Sequence, residues 1–521
     1  MRSLVINLTR FGDLLQTQPV FAALARQGHR TGLVCLQNFA AAAQLVTGLE
    51  SVHPVPGARL LADLDGSWPR ALGGCLAWSD AVRQGFAPDR VINLTPSLAA
   101  RLMARSLAGD APVLGFGLDE FGFGTYSSPW AAFLEATALY RGASPFNVAD
   151  IFFKAAHLGD AAREFALARP SAADTRAVRE LIASQTGAGR AGLAGIQLGA
   201  SAEKRRWPVE HFAAVADFLW ERRRLLPVLL GSADEAPLAA RFARACKAPH
   251  ADLTGKTTLP LLAAAVSELR LLATNDTGTM HLAAGLGVPV LALFLATAQP
   301  WDTGPYLAGC CCLEPDMPCH PCSFAHPCPI GWACRAKLPP EAACACLDGW
   351  LTEGRWPEVP GRGARVWESY ADPHGFMCLR SLSGHGNEAR SVWNMIQRSV
   401  LRRFLDGQPQ DAAPDTPHPL PEDFSAPLRD ALSQAGSILS MLEAQARALS
   451  VSPRSAMREK FMAAWQRVHD LLGSDKRLSA LAHLWLHLSQ AQGQDMASFA
   501  AFASSMGQAV SALLLRLAPA R

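Results

Sequence analysis

The chain has 521 residues, half of them hydrophobic and 18% charged, with a formal net charge of +3 at pH 7. This length exceeds what one hydrophobic core can serve, and the composition is typical of a globular protein, which excludes a disordered or fibrous chain. The small net charge argues against nucleic acid as the main partner, because proteins that bind it carry a strong basic excess.

The N-terminal residues predict a location. A single arginine precedes an apolar run that is too short for a secretory signal, and we identify no run of about 18 apolar residues that would span a membrane. We therefore expect a cytoplasmic protein without a transmembrane segment, with peripheral contact at the inner membrane as a further option. The thirteen cysteines are then expected in a reducing compartment.

Residues 1–185 predict a Rossmann-like domain. Residues 4–8 are typical of a buried strand, and a polar turn, a helical pattern and a second strand at 31–36 follow. A strand, a helix and a strand within about 35 residues form a βαβ unit of a parallel sheet. Two later strands, at 90–94 and 111–116, are expected in the same sheet.

Residues 186–350 predict a second domain of the same class. Its apolar strands end in turns of small and polar residues, and ligands of such sheets bind at that carboxyl edge. The predicted strands lie at 193–198, 226–230, 270–274 and 289–294. Nine of the thirteen cysteines lie between Cys310 and Cys346 of this domain.

The remaining residues predict three further segments. Residues 355–406 form a small mixed extension, and 407–421 hold five prolines without periodicity, which is typical of a linker. From 422 to 521 apolar residues recur three and four apart, which predicts an all-α extension of four antiparallel helices.

The segment 275–289 has the strongest pattern for ligand binding. It follows a buried strand and reads NDTGTMHLAAGLGVP. Gly278 lets the backbone approach a ligand, and the free N–H groups of the helix that begins there favour an anion such as a diphosphate. A helix cap formed by Asp276 in a tight turn is the alternative explanation of Asp-Thr-Gly.

Two other segments carry matching chemistry. Residues 195–219 read GIQLGASAEKRRWPVEHFAAVADFL, where a Gly-Ala-Ser turn at a strand end is followed by basic residues that suit phosphate oxygens. Residues 7–15 form a polar turn that contains Gly12-Asp13. Taken alone, Asp13 is better explained as a helix cap or as an acid in the first helical turn than as a catalytic residue.

In order and spacing, these three segments resemble the motifs of the ADP-heptose-dependent heptosyltransferases of glycosyltransferase family 9, over about residues 1–350. The resemblance implies a GT-B fold, in which two Rossmann-like domains face a cleft, with the acceptor domain first and the donor domain second. The all-α C-terminal extension is additional to that pattern.

The resemblance also implies residue roles in the donor domain. The donor is held by six residues, of which Ser201 touches the diphosphate: Ser201, Glu235, Asp276, Thr277, Gly278 and His281. Proteins of that family have a lysine two places before the tryptophan that corresponds to Trp207. This chain has Arg205 at that place and Lys204 one place earlier. Either side chain would stabilise the charge of the leaving group. An ordinary surface carboxylate is the alternative interpretation of Glu235.

In the first domain, the resemblance implies that Asp13 is the general base that takes the proton of the acceptor hydroxyl. Arg10, in the same turn, would bind an acidic group of the acceptor, with a solvated loop arginine as the alternative. The implied reaction is inverting transfer of heptose from ADP-heptose to a lipopolysaccharide core, another glycan or a protein, without a cofactor. Retaining chemistry stays open from the residues alone.

Two other functions stay open. The same scaffold serves transferases and epimerases that use other nucleotide sugars, because a fold does not fix a substrate. A catalytically degenerate binding or assembly module is the third reading, for which the change from lysine to Arg205 and the helical extension leave room. The oligomeric state is not predicted.

The cysteine segment permits a metal. Cys319, Cys322, Cys328 and Cys334 have ligand-like spacing, and such a cluster in a cytosolic protein indicates a metal or reactive thiols. The resemblance adds two precedents, a metal-free loop in many relatives and iron held by similar cysteines in a protein-modifying branch. A structural zinc or iron ion is thus one expectation and a metal-free surface loop the other.

Overall fold

The computed structural model describes residues 1–138, 140–187, 189–324, 327–361, 363–410, 419–452, 455–493 and 495–517. The chain divides into two compact units. Unit 1 comprises Met1–Val113 and Asn147–His385, and unit 2 comprises Leu114–Phe146 and Gly386–Arg521. The five-part division predicted from the sequence stays a prediction.

The strands within the described residues are, in chain order, β1 (Arg2–Ile6), β2 (Arg30–Leu36), β3 (Ser51–Val55), β4 (Arg90–Asn93), β5 (Val113–Leu118), β6 (Gly124–Tyr126), β7 (Gly192–Gln197), β8 (Leu225–Leu230), β9 (Ala251–Asp252), β10 (Leu271–Asn275), β11 (Val290–Leu293), β12 (Cys311–Pro315), β13 (Ala364–Ala371) and β14 (Met377–Ser381).

The α-helices of the same residues are α1 (Phe11–Leu15), α2 (Gln18–Arg26), α3 (Gly57–Gly66), α4 (Trp68–Phe86), α5 (Leu98–Ala108), α6 (Pro129–Ala136), α7 (Val148–Ala155), α8 (Ala172–Ala183), α9 (Val209–Arg223), α10 (Ala236–Ala245), α11 (Leu259–Ser267), α12 (Gly278–Gly285), α13 (Pro300–Thr303), α14 (Cys334–Lys337), α15 (Pro340–Glu353), α16 (Ala389–Leu405), α17 (Glu422–Val451), α18 (Ser455–Gly473), α19 (Ser479–Ala491) and α20 (Met496–Arg516).

The first sheet of unit 1 is parallel. β1 pairs with β2 on one side and with β4 on the other, and β2 pairs with β3. Leu4, Val5 and Ile6 of β1 are fully buried, which explains its unbroken apolar run, since a central parallel strand is covered on both faces. The chain order changes direction between β1 and β4, so the loop after β1 lies where ligands of such sheets bind.

The second sheet of unit 1 has the order β14-β13-β12-β11-β10-β7-β8-β9. The strands from β7 to β12 pair in parallel, in the doubly wound pattern that binds nucleotides. Its direction of winding changes between β7 and β10. The Gly199-Ala200-Ser201 turn and the turn after Asn275 therefore meet at this switch point.

Residues 355–406, predicted as a small mixed extension, contribute to this sheet. β13 pairs antiparallel with β12, and β14 pairs antiparallel with β13. The indole of Trp367 on β13 donates a 2.8 Å hydrogen bond to the buried carboxylate of Glu314 on β12. The hairpin covers what would otherwise be an open sheet edge at β12.

Unit 2 is mainly helical, which confirms the predicted all-α extension. β5 and β6 form an antiparallel hairpin, and α17 to α20 supply the four helices predicted for residues 422–521. Leu432, Leu439 and Leu442 of α17 are completely buried, as their helical spacing predicts. The predicted linker 407–421 falls largely on residues 411–418, which lie outside the described residues.

One helix bears on the expectation that the chain has no transmembrane segment. Among the described residues, α20 is long and apolar enough to cross a membrane. Part of this helix is buried inside the protein, and Met506 and Leu513 have no exposed surface. A core helix passes the same test, so this is only a weak indication of a membrane span.

Candidate donor and catalytic site

Asn275, at the end of β10, organises the switch point of the second sheet. Its side-chain nitrogen donates to the backbone oxygens of Leu198 at 2.9 Å and Gly199 at 3.1 Å. Its side-chain oxygen accepts from the backbone nitrogen of Trp207 at 2.9 Å. One buried amide therefore joins the Gly-Ala-Ser turn, the basic turn before Trp207 and the strand that delivers Asp276.

Arg205 lies at the centre of this arrangement. Its guanidinium donates to the hydroxyl of Ser201 at 3.0 Å and pairs directly with the carboxylate of Asp276. The Arg205 and Asp276 side chains are only 12% and 7% exposed, so their interaction is weakly screened by solvent. The alternative explanation of Asp276 as a helix cap does not describe this geometry, since the cap residue of α12 is Thr277.

Lys204 has a different environment from Arg205. Burial raises the pKa of the Cys322 thiol to about 11, with three neighbouring thiols adding to the rise and the charge of Lys204 opposing it. Lys204 therefore lies beside the cysteine segment. Of the two basic residues left open by the sequence, Arg205 is the one in contact with Ser201 and Asp276.

The N-terminus of α12 follows Asp276 directly. Thr277 has an extended backbone conformation, and its side chain makes no capping hydrogen bond to the helix. Its hydroxyl lies 3.2 Å from the hydroxyl of Thr274 on β10. A first helical turn without a side-chain cap presents N–H groups and a partial positive charge, which suits an anionic ligand.

Glu235 is held in a cradle of two glycines. A Cβ atom at Gly199 or at Gly231 would overlap its carboxylate, so the side chain of Glu235 keeps this position only while both residues are glycine. One carboxylate oxygen accepts from the side chain of Gln197 at 2.9 Å and from the backbone nitrogen of Ser232 at 3.1 Å. The carboxylate is thus fixed at the strand ends and is not a free surface charge.

Gln197 links Glu235 to α12. Its side-chain oxygen accepts from the hydroxyl of Thr279 at 3.2 Å, while its nitrogen donates to Glu235. The sequence analysis missed this residue, although it stands in the quoted motif. A polar side chain at the last position of an apolar strand lies at the carboxyl edge of the sheet, and this pattern could have identified Gln197.

Asp13 lies on the first-domain side, in the first turn of the short helix α1. The loop before it is fixed by Asn7, whose completely buried amide donates to the hydroxyl of Thr17 at 2.7 Å and accepts from the backbone nitrogen of Thr9 at 3.0 Å. Arg10 is at the cap position of α1 and is exposed. The loop thereby presents Asp13 as a partly exposed carboxylate.

Comparisons with known proteins find heptosyltransferases similar to parts of this chain. The model of glycosyltransferase family 9 (heptosyltransferase) matches residues 88–330, which include the whole donor-side cluster. Lipopolysaccharide heptosyltransferase 1 of Pseudomonas aeruginosa is 34% identical over 118 residues, which are 23% of this chain and 32% of that protein. Lipooligosaccharide heptosyltransferase 2 of Haemophilus influenzae is 31% identical over 101 residues, 19% of this chain and 29% of that protein. Over residues 88–330, this chain is similar to the heptosyltransferases of glycosyltransferase family 9.

A similar fold is found in a solved structure. The E. coli ADP-heptose lipopolysaccharide heptosyltransferase II structure is similar with a TM-score of 0.50 at 16% identity, covering 68% of this chain and 99% of that one. The predicted GT-B fold is thereby confirmed. The matches to the curated relatives span about a third of their length, and Arg10 and Asp13 precede the family match.

The cysteine segment supports the basic turn that carries Arg205. Arg335, directly after Cys334, donates from its guanidinium to the backbone oxygen of Arg206 at 2.7 Å. The indole of Trp207 donates to the backbone oxygen of Leu338 at 2.9 Å. The residues that follow the cysteines therefore hold both sides of the turn that carries Arg205.

The four predicted metal ligands are neighbours, but they do not fit a single ion as they are placed. Among the described residues, no three of Cys319, Cys322, Cys328 and Cys334 bring their sulfur atoms within 4.8 Å of one another. Four thiolates around one zinc ion would stand about 4 Å apart. Burial also raises the pKa of Cys334, which favours neutral thiols over the thiolates that bind metals. The structural metal stays a prediction.

Proposed function

We propose that the chain is an inverting glycosyltransferase that transfers a heptose from ADP-heptose to a hydroxyl group of a lipopolysaccharide core, another glycan or a protein. The observation that carries this proposal is the contact of Arg205 with Ser201 and Asp276, directly beside the uncapped N-terminus of α12. A guanidinium and helix N–H groups at one switch point suit a sugar diphosphate.

In this mechanism the donor diphosphate lies along the N-terminus of α12. Arg205, Thr277 and His281 bind its oxygens, and Ser201 touches the same group. Glu235, held at the strand ends, accepts from the ribose hydroxyls, while Asp276 keeps Arg205 in place. Lys204 adds positive charge from the side of the cysteine segment.

The chemical step is a single displacement. The acceptor oxygen forms a bond to the anomeric carbon as the bond from that carbon to the diphosphate oxygen breaks. Asp13 takes the proton of the acceptor hydroxyl, and ADP leaves with the electron pair. Arg205 and the dipole of α12 stabilise the charge that develops on ADP. Arg10, exposed in the same loop, binds an acidic group of the acceptor.

With this function we expect the protein in the cytoplasm, with peripheral contact at the inner membrane when the acceptor is lipid-linked. No cofactor is required by the proposed displacement, because the leaving group departs as a stable nucleoside diphosphate that Arg205 and α12 can neutralise.

The donor assignment is tested by calorimetric binding of ADP-heptose, ADP, UDP and GDP to the full-length protein. We expect binding of ADP-heptose and ADP, at least about tenfold weaker in Asp276→Ala because Arg205 loses its partner. Asp348→Ala is the matched control, since Asp348 pairs with Arg223 on the surface. A preference for UDP or GDP would overturn the heptose donor, and no binding at all would overturn the transferase.

The role of Asp13 is tested separately with Asp13→Asn. We expect donor binding within about threefold of wild type but transfer slower by about 100- to 10,000-fold, because only proton removal is lost. Transfer is measured as ADP released from ADP-heptose with a lipopolysaccharide core that lacks heptose. Undiminished transfer would contradict the assignment of Asp13 as the base.

A further inference from the structure

The two domains that would bind acceptor and donor touch each other at a pair of glycines. A Cβ atom at Gly12 of α1 would lie 3.0 Å from a ring carbon of His281 and 3.3 Å from the Cα of Gly278. A Cβ atom at Gly278 would overlap the ring of Phe11. The backbone of α1 therefore packs directly on the first turn of α12, the proposed diphosphate site.

Gln16 adds a directional contact to this packing. It ends α1, three residues after Asp13, and its side-chain nitrogen lies 3.1 Å from Nε2 of His281. The same nitrogen faces the backbone oxygen of Gly12 at 3.5 Å, which identifies it as the donating end of the amide. With the amide in this orientation, the hydrogen bond runs from Gln16 to Nε2 of His281.

The burial of this pair argues against an incidental contact. Gln16 is 1% exposed and His281 is 4% exposed. The side-chain oxygen of Gln16 is buried and makes no hydrogen bond to any residue that the structure describes. A buried acceptor without a partner costs about 1–3 kcal/mol, so an apolar residue would serve a purely structural role better.

We propose that Gln16 is a positioning residue of the transfer reaction, which sets the distance between Asp13 and the donor helix by its hydrogen bond to His281. This inference rests on the proposed function. Asp13 lies in α1 and Gln16 caps the C-terminal end of that helix, so a shift of α1 along α12 moves the carboxylate away from the reacting hydroxyl. A general base acts at about 2.6–3.2 Å, and a misplacement of about 1 Å costs on the order of 100-fold in rate.

The first test is Gln16→Ala in the full-length protein. We expect kcat to fall roughly 10- to 100-fold, while KM for ADP-heptose and the dissociation constant of ADP stay within about threefold. Gln18→Ala is the matched control, because this equally buried glutamine bonds instead to Thr47 of its own domain, at 2.6 Å. We expect its kcat to be unchanged, with melting temperatures recorded for both variants.

A double-mutant cycle separates positioning from simple packing. If Gln16 acts through His281, Gln16→Ala should lower kcat by less than about threefold in a His281→Ala background at saturating donor. Independent losses that multiply would overturn the proposal, as would a wild-type kcat in Gln16→Ala. In both of these outcomes wild-type transfer persists and the proposed function stands, whereas a wild-type protein that neither binds ADP nor transfers heptose overturns both.

Discussion

At the scale of single residues, Asn275 bonds three backbone groups that come from separate parts of the donor domain. We predict that Asn275→Ala lowers the free energy of unfolding by about 2–4 kcal/mol, because two carbonyls and one N–H group lose a buried partner. Urea unfolding measures this loss. Asn38→Ala, at an exposed asparagine, serves as the control and should change stability by less than about 0.5 kcal/mol. Equal effects in the two variants would contradict the bridging role.

The site residues differ in how far the sequence predicts them. Asp276, Thr277 and Gly278 follow one strand, so their common position is encoded by a short motif. The partners of Gln16 and Gln197 are 265 and 82 residues away in the chain. No local pattern specifies such partners, because they depend on how the two sheets and their loops pack. Which of Arg205 and Lys204 contacts Asp276 was open for the same reason.

At the scale of elements, the packing of α1 on α12 depends on Gly278 having no side chain. We predict that Gly278→Ala destabilises the protein by about 1–3 kcal/mol and weakens ADP binding, because the new methyl group meets the ring of Phe11. Adding Phe11→Ala should restore most of the stability. Thermal unfolding and ADP calorimetry give the two readouts.

The matched control for that element is Gly73→Ala. Gly73 lies within α4, and a Cβ atom there has no neighbour within 4 Å. Alanine favours a helix over glycine by about 1 kcal/mol, so this variant should be slightly more stable than wild type. If Gly278→Ala behaved in the same way, α1 and α12 would not be in the close contact described.

At the scale of the whole molecule, several half-buried histidines predict how stability depends on pH. Burial lowers the pKa of His53, His211 and His483 below the ordinary value. The unfolded chain then binds more protons than the folded one as pH falls through about 6.5, so stability is complete above that value and decreases below it. We expect the urea midpoint at pH 5.5 to lie below that at pH 7.5.

The variant that checks this pH dependence is His53→Gln combined with His483→Gln, which removes two of the three histidines named above. Its urea midpoint should change less between pH 7.5 and pH 5.5 than that of the wild type. A wild-type midpoint that rises toward pH 5.5 would show that the histidines are more basic in the folded protein, which is the opposite sign.

The architecture was predictable to the extent that it is periodic. Unbroken apolar strands such as β1 and β10 specify parallel sheets, and the helical spacing of α17 specifies the all-α extension. The addition of β13 and β14 to the second sheet was not predicted. Short antiparallel strands carry little signal of their own, and their place follows from the unpaired edge of β12.

The contact between Gln16 and His281 has a consequence for biosynthesis. The two residues are 265 positions apart, and a ribosome that adds about 5–20 residues per second needs roughly 13–53 s to make the intervening chain. During that interval the nascent first domain displays the glycine face of α1 and the amide of Gln16 without their partner helix. Chaperones that recognise nascent chains therefore have a defined window in which to bind this surface, and it closes when α12 has been translated and has folded.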